Sequence, residues 1–329
     1  MYQTTRPFRS QYLLLRTLNY HVSRWDSADA APNPDKTPLV LLHGWMDMGA
    51  SFQFIVDALS DAFVAGRPIL APDWRGFGRT QPATRTDHYV FADYLADLDQ
   101  LLDHCAPGQP VDLVGHSMGG NIAMLYAGAR PERVRRLVNL EAFGLPATQP
   151  SQAPAQYAQW MDELKKFERG ELNLKPYDSA LGVAQRLMKT NPRLPLDKAL
   201  WLAQHWAAPN AQGQWQILGD AAHKIAGAQL FRLDETLALY RAISAPTLSI
   251  HAQDDSIAQW WSGKYSMAEH YQRLQAVPDC RIAIVENAGH MVHHDQPQAV
   301  AALIEAFFTG NTVKSASSPL NTGASSYYF

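Results

Sequence analysis

Ser117 stands in the run Gly115-His116-Ser117-Met118-Gly119-Gly120, between the apolar stretch Val111–Val114 and a helical pattern over 121–130. A Gly-x-Ser-x-Gly spacing is a weak signal alone, because a chain of this length can carry it by chance. Placed between a strand and a helix, it has a mechanical meaning. The backbone must bend there too tightly for side chains on its neighbours, so the hydroxyl is pushed out above the strand end and onto a helix N-terminus. Such a hydroxyl could attack an acyl carbonyl. It needs a base within hydrogen-bond reach, and the base needs an orienting acid.

His290 is the expected base. It lies in Glu286-Asn287-Ala288-Gly289-His290-Met291, just after the apolar run Arg281–Val285, and a loop beyond a strand can bring an imidazole to the serine. His293 and His294 are read as a loop or a first helical turn. Asp255, which follows the run Thr247–Ile250 through His251-Ala252-Gln253-Asp254, is the expected acid. Its neighbour Asp254 should point elsewhere. Glu141 stays open as the alternative, because it ends the run Leu137–Leu140 and could also reach the histidine.

The developing oxyanion calls for two backbone N–H donors. Met118, next after the serine, should supply one, and Trp45 in His43-Gly44-Trp45 the other. His43 reads as a residue that ties its loop down. Asp73 and Arg75 read as fixing the turn that follows Ile69–Ala71. Trp74, His116 and Trp260 are candidates for the wall of a substrate pocket, although the structural reading is favoured for Trp74 and His116.

These groups need elements to hold them. Pro38–Leu42, Pro68–Ala71, Val111–Val114, Leu137–Leu140, Thr247–Ile250 and Arg281–Val285 are apolar without alternation, as strands buried on both faces are. Two short strands, Tyr12–Leu15 and Tyr20–Val22, read as a hairpin before them, and Asp26–Pro38 as a loop. Helical stripes run through Phe91, Tyr94, Leu95, Leu98, Leu101 and Leu102, and again through Val300, Leu303, Ile304, Phe307 and Phe308. Strands alternating with helices predict a mostly parallel sheet with helices on both faces. The alternation breaks over 145–236, a helical stretch with four of the nine tryptophans. This divides the chain into an α/β core over 1–144 and 237–313, a helical insertion over 145–236, and a Ser-rich tail, 314–329, expected to be disordered.

Composition excludes several classes. With 47% hydrophobic and 18% charged residues, the chain can bury a large core and is not disordered over most of its length. Lys and Arg number 28 against 31 Asp and Glu, which leaves no basic footprint for nucleic acid or a membrane surface. No apolar run approaches the ~20 residues of a membrane span. Leu13–Leu15 is too short for the apolar segment of a signal peptide. Cys105 and Cys280 cannot build a disulfide framework, and no Cys/His cluster has zinc-ligand spacing. The expectation is a cytoplasmic protein with a small-molecule substrate, no nucleic-acid partner, no metal and no cofactor.

Taken together, His43-Gly44-Trp45, Pro72-Asp73-Trp74-Arg75-Gly76-Phe77-Gly78, the serine turn, the strand before Asp255 and Gly289-His290 resemble the α/β-hydrolase superfamily over residues 38 to 308. The stretch from Gln212-Gly213-Gln214-Trp215 to Asp220-Ala221-Ala222-His223-Lys224 looks like the cap of its branch of epoxide-hydrolase-like proteins and serine-hydrolase-like esterases. The resemblance implies an eight-stranded, mostly parallel sheet with a helical cap. Epoxide hydrolases and haloalkane dehalogenases carry aspartate at the turn. Serine here implies an acyl-enzyme. Some dehalogenase relatives place the acid after the sixth strand, where Glu141 stands.

The expected function is a serine hydrolase of carboxylic esters with an apolar or aromatic part. A carbon–carbon bond hydrolase of ring-cleavage diketones would use the same three residues. A small-molecule receptor of this fold would bind with negligible turnover.

Overall fold

The computed structural model describes residues 1–26, 33 and 35–310. The tail 314–329 and much of the loop 26–38 lie outside the described residues.

Strands β1 (Arg9–Leu15) and β2 (Leu18–Arg24) form the antiparallel hairpin expected from the sequence. β3 (Leu39–Leu42), β4 (Ile69–Pro72), β5 (Val111–His116) and β6 (Val134–Leu140) follow. β7 (Ala207–Pro209) and β8 (Trp215–Ile217) form a separate two-stranded antiparallel ladder. β9 (Thr247–Ala252) and β10 (Cys280–Val285) complete an eight-stranded sheet in the order β1-β2-β4-β3-β5-β6-β9-β10. From β4 to β10 neighbouring strands of this sheet run parallel.

Every residue of β3, β4, β5 and β9 is buried. Strand side chains alternate between faces, and both faces of this sheet are covered. Val40, Leu42 and Leu113 pack with the helices Phe91–Cys105 and Met118–Ala129. Leu39, Leu41, Val114 and Leu248 pack with Gln53–Ala58 and Pro297–Thr309. This is why the strands read as unbroken apolar runs.

β6 starts at Val134, three residues ahead of its apolar run. Arg135 and Arg136 hide this start in the sequence. Arg135 pairs with Asp112 of β5, and Arg136 donates to the Phe307 carbonyl at 2.7 Å, so both charges are satisfied along the strand.

Between β6 and β9 the chain runs through helices Ala153–Glu168, Ala180–Thr190 and Leu196–Trp206. The short β7–β8 ladder interrupts this helical stretch and is too brief to show a period of two. Helix Leu233–Ala242 packs on the sheet side. A side chain at Gly128 would collide with the Leu239 carbonyl, which shows how close the two helices lie. Among the described residues no helix is long and apolar enough to cross a membrane.

Candidate active site

Ser117 sits between β5 and the helix Met118–Ala129 with φ 51° and ψ −117°. A non-glycine residue in that region costs about 1–3 kcal/mol and persists only where its surroundings enforce it. They do so by crowding. A Cβ on Gly119 would collide with the Leu42 carbonyl, and one on Gly115 would meet the Gly119 and Gly120 backbone. The strand-to-helix turn can therefore press against β3 only with glycine at both places. The Ser117 N–H donates to the Leu140 carbonyl at 2.9 Å, which ties the turn to the end of β6.

Glu141, immediately after that carbonyl, also has a positive φ, 53°. It is 1% exposed, and its carboxylate has three partners. Oε1 accepts the Ala252 N–H at 2.7 Å. Oε2 accepts the Ser256 hydroxyl at 2.8 Å and lies 3.4 Å from His290 Nδ1. Burial pushes the Glu141 carboxyl up to about 8 against the pull of its two donors. Burial also pulls His290 down to about 3. Both shifts oppose charge separation, so at neutral pH the pair is net neutral and shares one titratable proton.

The hydrogen bonds of His290 among the described residues are that one through Nδ1 and one at its carbonyl, which accepts from His116 Nε2 at 2.8 Å. Its Nε2 is left free for a substrate or for the serine. The indole of Trp260 stands edge-on to the imidazole, with ring centres 4.1 Å apart.

Asp255 is turned to another task. It is exposed, and its Oδ1 accepts the Ala258 N–H at 2.8 Å, capping the short helix Ser256–Trp261. The structure thus brings His290 to Glu141 and not to the expected Asp255, because the helix that follows Asp255 uses its carboxylate. Asp254 forms an ion pair with Arg193 of the helical insertion at 2.7 Å.

The loop after β3 is fixed from below. His43 Nε2 accepts the Trp74 N–H at 2.8 Å, and the Trp74 indole donates to the His43 carbonyl at 3.1 Å. Trp74 is fully buried in the core, so it braces this loop and does not line an open pocket. Asp73 accepts from Gly49, Arg79 and His21, the structural role expected of it. Trp45 is 53% exposed. Its N–H and that of Met118, the first residue of its helix, have no acceptor among the loop and cap bonds of the described residues. His116 is buried and holds the His290 carbonyl, which is bracing and not contact with an open pocket.

Sequence reasoning missed Ser256 and the Ala252 N–H as partners of Glu141. It also missed the Arg193–Asp254 tie between insertion and sheet. One signal was available. A carboxylate directly after a buried apolar strand is costly unless donors meet it, and Glu141 was the residue in that position.

A family model described as "alpha/beta hydrolase fold" matches residues 37–297. A serine hydrolase-like protein of Danio rerio is 24% identical over 285 residues, 82% of this chain and 81% of that protein. An sn-1-specific diacylglycerol lipase of the same organism is 28% identical over 271 residues, 80% of this chain and 75% of the other. Among solved structures, a thioesterase domain from the curacin biosynthetic pathway superposes with a TM-score of 0.75 at 24% identity, covering 90% of this chain and 99% of that one.

Proposed function

This chain belongs to the alpha/beta hydrolase fold family, and from that premise we propose that it is a serine hydrolase cleaving carboxylic esters through an acyl-enzyme on Ser117. The observation that carries this reading is the 3.4 Å contact of His290 Nδ1 with buried Glu141, the residue that follows the Leu140 carbonyl to which the strained Ser117 is tied. The serine hydroxyl attacks the ester carbonyl and its proton passes to His290 Nε2. Glu141 orients the imidazole and stabilises the imidazolium as it forms. The Met118 and Trp45 N–H groups receive the oxyanion. The imidazolium then protonates the departing alcohol, and water activated by the same imidazole releases the acid. The steps call for no metal and no cofactor.

Trp45 and Trp260, both large and about half exposed, favour an acyl or alcohol group with an apolar or aromatic part. Residues 145–236 act as a cap over these groups. Its ties to the loops beneath include the Arg193–Asp254 pair and the Trp206 indole N–H, which donates to the Met46 carbonyl at 2.8 Å.

The test is Ser117→Ala on short-chain and aromatic nitrophenyl esters. Turnover should fall to the level of buffer for every ester the wild type cleaves. An unchanged rate would remove Ser117 from the reaction.

A further inference from the structure

Behind the serine, three segments far apart in sequence bring Asp47, His116 and His293 together. Each offers one ligand atom, and these atoms all lie within 4.8 Å of one another. We propose that this cluster is a binding site for a borderline divalent transition cation of the Zn2+ type, held by two imidazoles and one carboxylate.

The tautomer of His116 supports it. Its Nε2 lies 2.8 Å from the His290 carbonyl and can only donate there, which leaves Nδ1 as the lone-pair nitrogen. That Nδ1 is buried and unpartnered, and it faces Gly44, in the same loop as Asp47. A metal-binding imidazole characteristically donates its other N–H to a carbonyl in this way. His293 is fully buried; its Nε2 lies 4.0 Å from Asp47 Oδ2 and 3.1 Å from Ser51 Oγ, a contact that a bound cation would replace, and its Nδ1 has no partner. Two buried imidazoles with unmet lone pairs or N–H groups are costly as a purely structural arrangement.

The donor set matches the two-imidazole, one-carboxylate pattern that takes zinc with a water in the fourth position. Donors about 2.1 Å from a tetrahedral cation are about 3.4 Å apart, so rotations of roughly an ångström would close the cluster around one. Asp47 already has an outer partner, since Ser51 Oγ donates to its Oδ2 at 2.7 Å and lies 2.8 Å from His294 Nε2. The Asp47 side chain is 13% exposed and offers the approach. No two of the ligands are near in sequence, so zinc-type spacing could not reveal them.

Untagged chain, stripped with EDTA and desalted, would be titrated with ZnCl2 in a calorimeter, and bound metal counted by elemental analysis. One equivalent should bind, and MgCl2 should give no heat. His293→Phe and Asp47→Asn should each weaken binding by more than about 100-fold, the upper range of what changes in a metal's outer sphere already cause. If either variant fails to fold, CoCl2 added to the wild-type chain reads the site directly. Visible d–d absorption of nitrogen-ligated cobalt is expected, and its displacement by Zn2+. Sub-stoichiometric uptake, wild-type affinity in both folded variants, or a wild-type cobalt spectrum without those bands would each overturn the site. None of these readouts depends on whether the protein hydrolyses esters.

Discussion

Glu141 and His290, 149 residues apart in sequence, meet at 3.4 Å between Oε2 and Nδ1. Glu141 leaves the end of β6 in a left-handed conformation, and His290 arrives in the loop after β10. Of the carboxylates considered from the sequence, Glu141 is the one in contact with this imidazole.

Glu141→Gln should lower kcat on any cleaved ester by about 100- to 10,000-fold, because an amide cannot hold the imidazole in the donating tautomer or stabilise its charged form. Asp255→Asn should leave kcat within about threefold, since asparagine caps a helix nearly as well as aspartate. Steady-state kinetics on the two proteins decide the acid, and the opposite ranking would restore Asp255.

The pH profile follows from the same pair. With Glu141 at about 8, the pair retains its proton in neutral solution. An imidazole facing a neutral carboxyl lacks the anion that stabilises its charged form in the transition state. Activity should therefore climb as pH rises through about 8, and the climb should vanish in Glu141→Gln. A rate flat from pH 6 to 9 in the wild type would contradict this.

Acid should unfold the protein readily. Burial holds nine of the twelve histidines below their ordinary value, His43 at about 4 and His251 and His294 at about 3 among them. Below pH 6.5 the unfolded chain binds protons that the folded chain refuses, so stability falls with pH. Each such group costs about 1 kcal/mol between pH 6.5 and 5.5. Asp47, raised to about 7, and Glu141, raised to about 8, act oppositely. Their folded forms keep protons the unfolded chain loses, so they erode stability as pH rises from about 4.5 to 8. The histidines outnumber them, and Tm should peak at about pH 7 and drop steeply on the acid side. Melting curves across pH 5 to 9 check the shape.

Gly119→Ala should be among the worst tolerated small substitutions. The added methyl would collide with the Leu42 carbonyl, a backbone atom that moves only with β3. Overpacking typically costs about 1–3 kcal/mol, and this site should reach the top of that range or beyond. Tm and soluble yield would show it.

Much of the scaffold was legible because β3, β4, β5 and β9 are buried throughout and the helices present one apolar face each. β7 and β8, three residues each, fell below what periodicity can detect, and the charged start of β6 concealed itself behind ion pairs made to other elements. The serine turn was legible for a local reason, since its glycines are demanded by contacts within a few residues and with one adjacent strand.

The carboxylate that faces His290 was not legible in the same way. Asp255 and Glu141 follow the neighbouring strands β9 and β6 at the same end of the sheet, and sequence favours Asp255. Asp255 is drawn off by the N–H of Ala258 in its own helix, while Glu141 is turned by its backbone toward Ala252, Ser256 and His290. The sequence by itself determined the alternation of strands and helices, the bend at Ser117 and the histidine after the last strand, because those depend on near neighbours. Only the tertiary structure decided which carboxylate faces the imidazole and that Asp47, His116 and His293 share one buried volume, because those outcomes depend on how adjacent strands align and on which donors reach a side chain first.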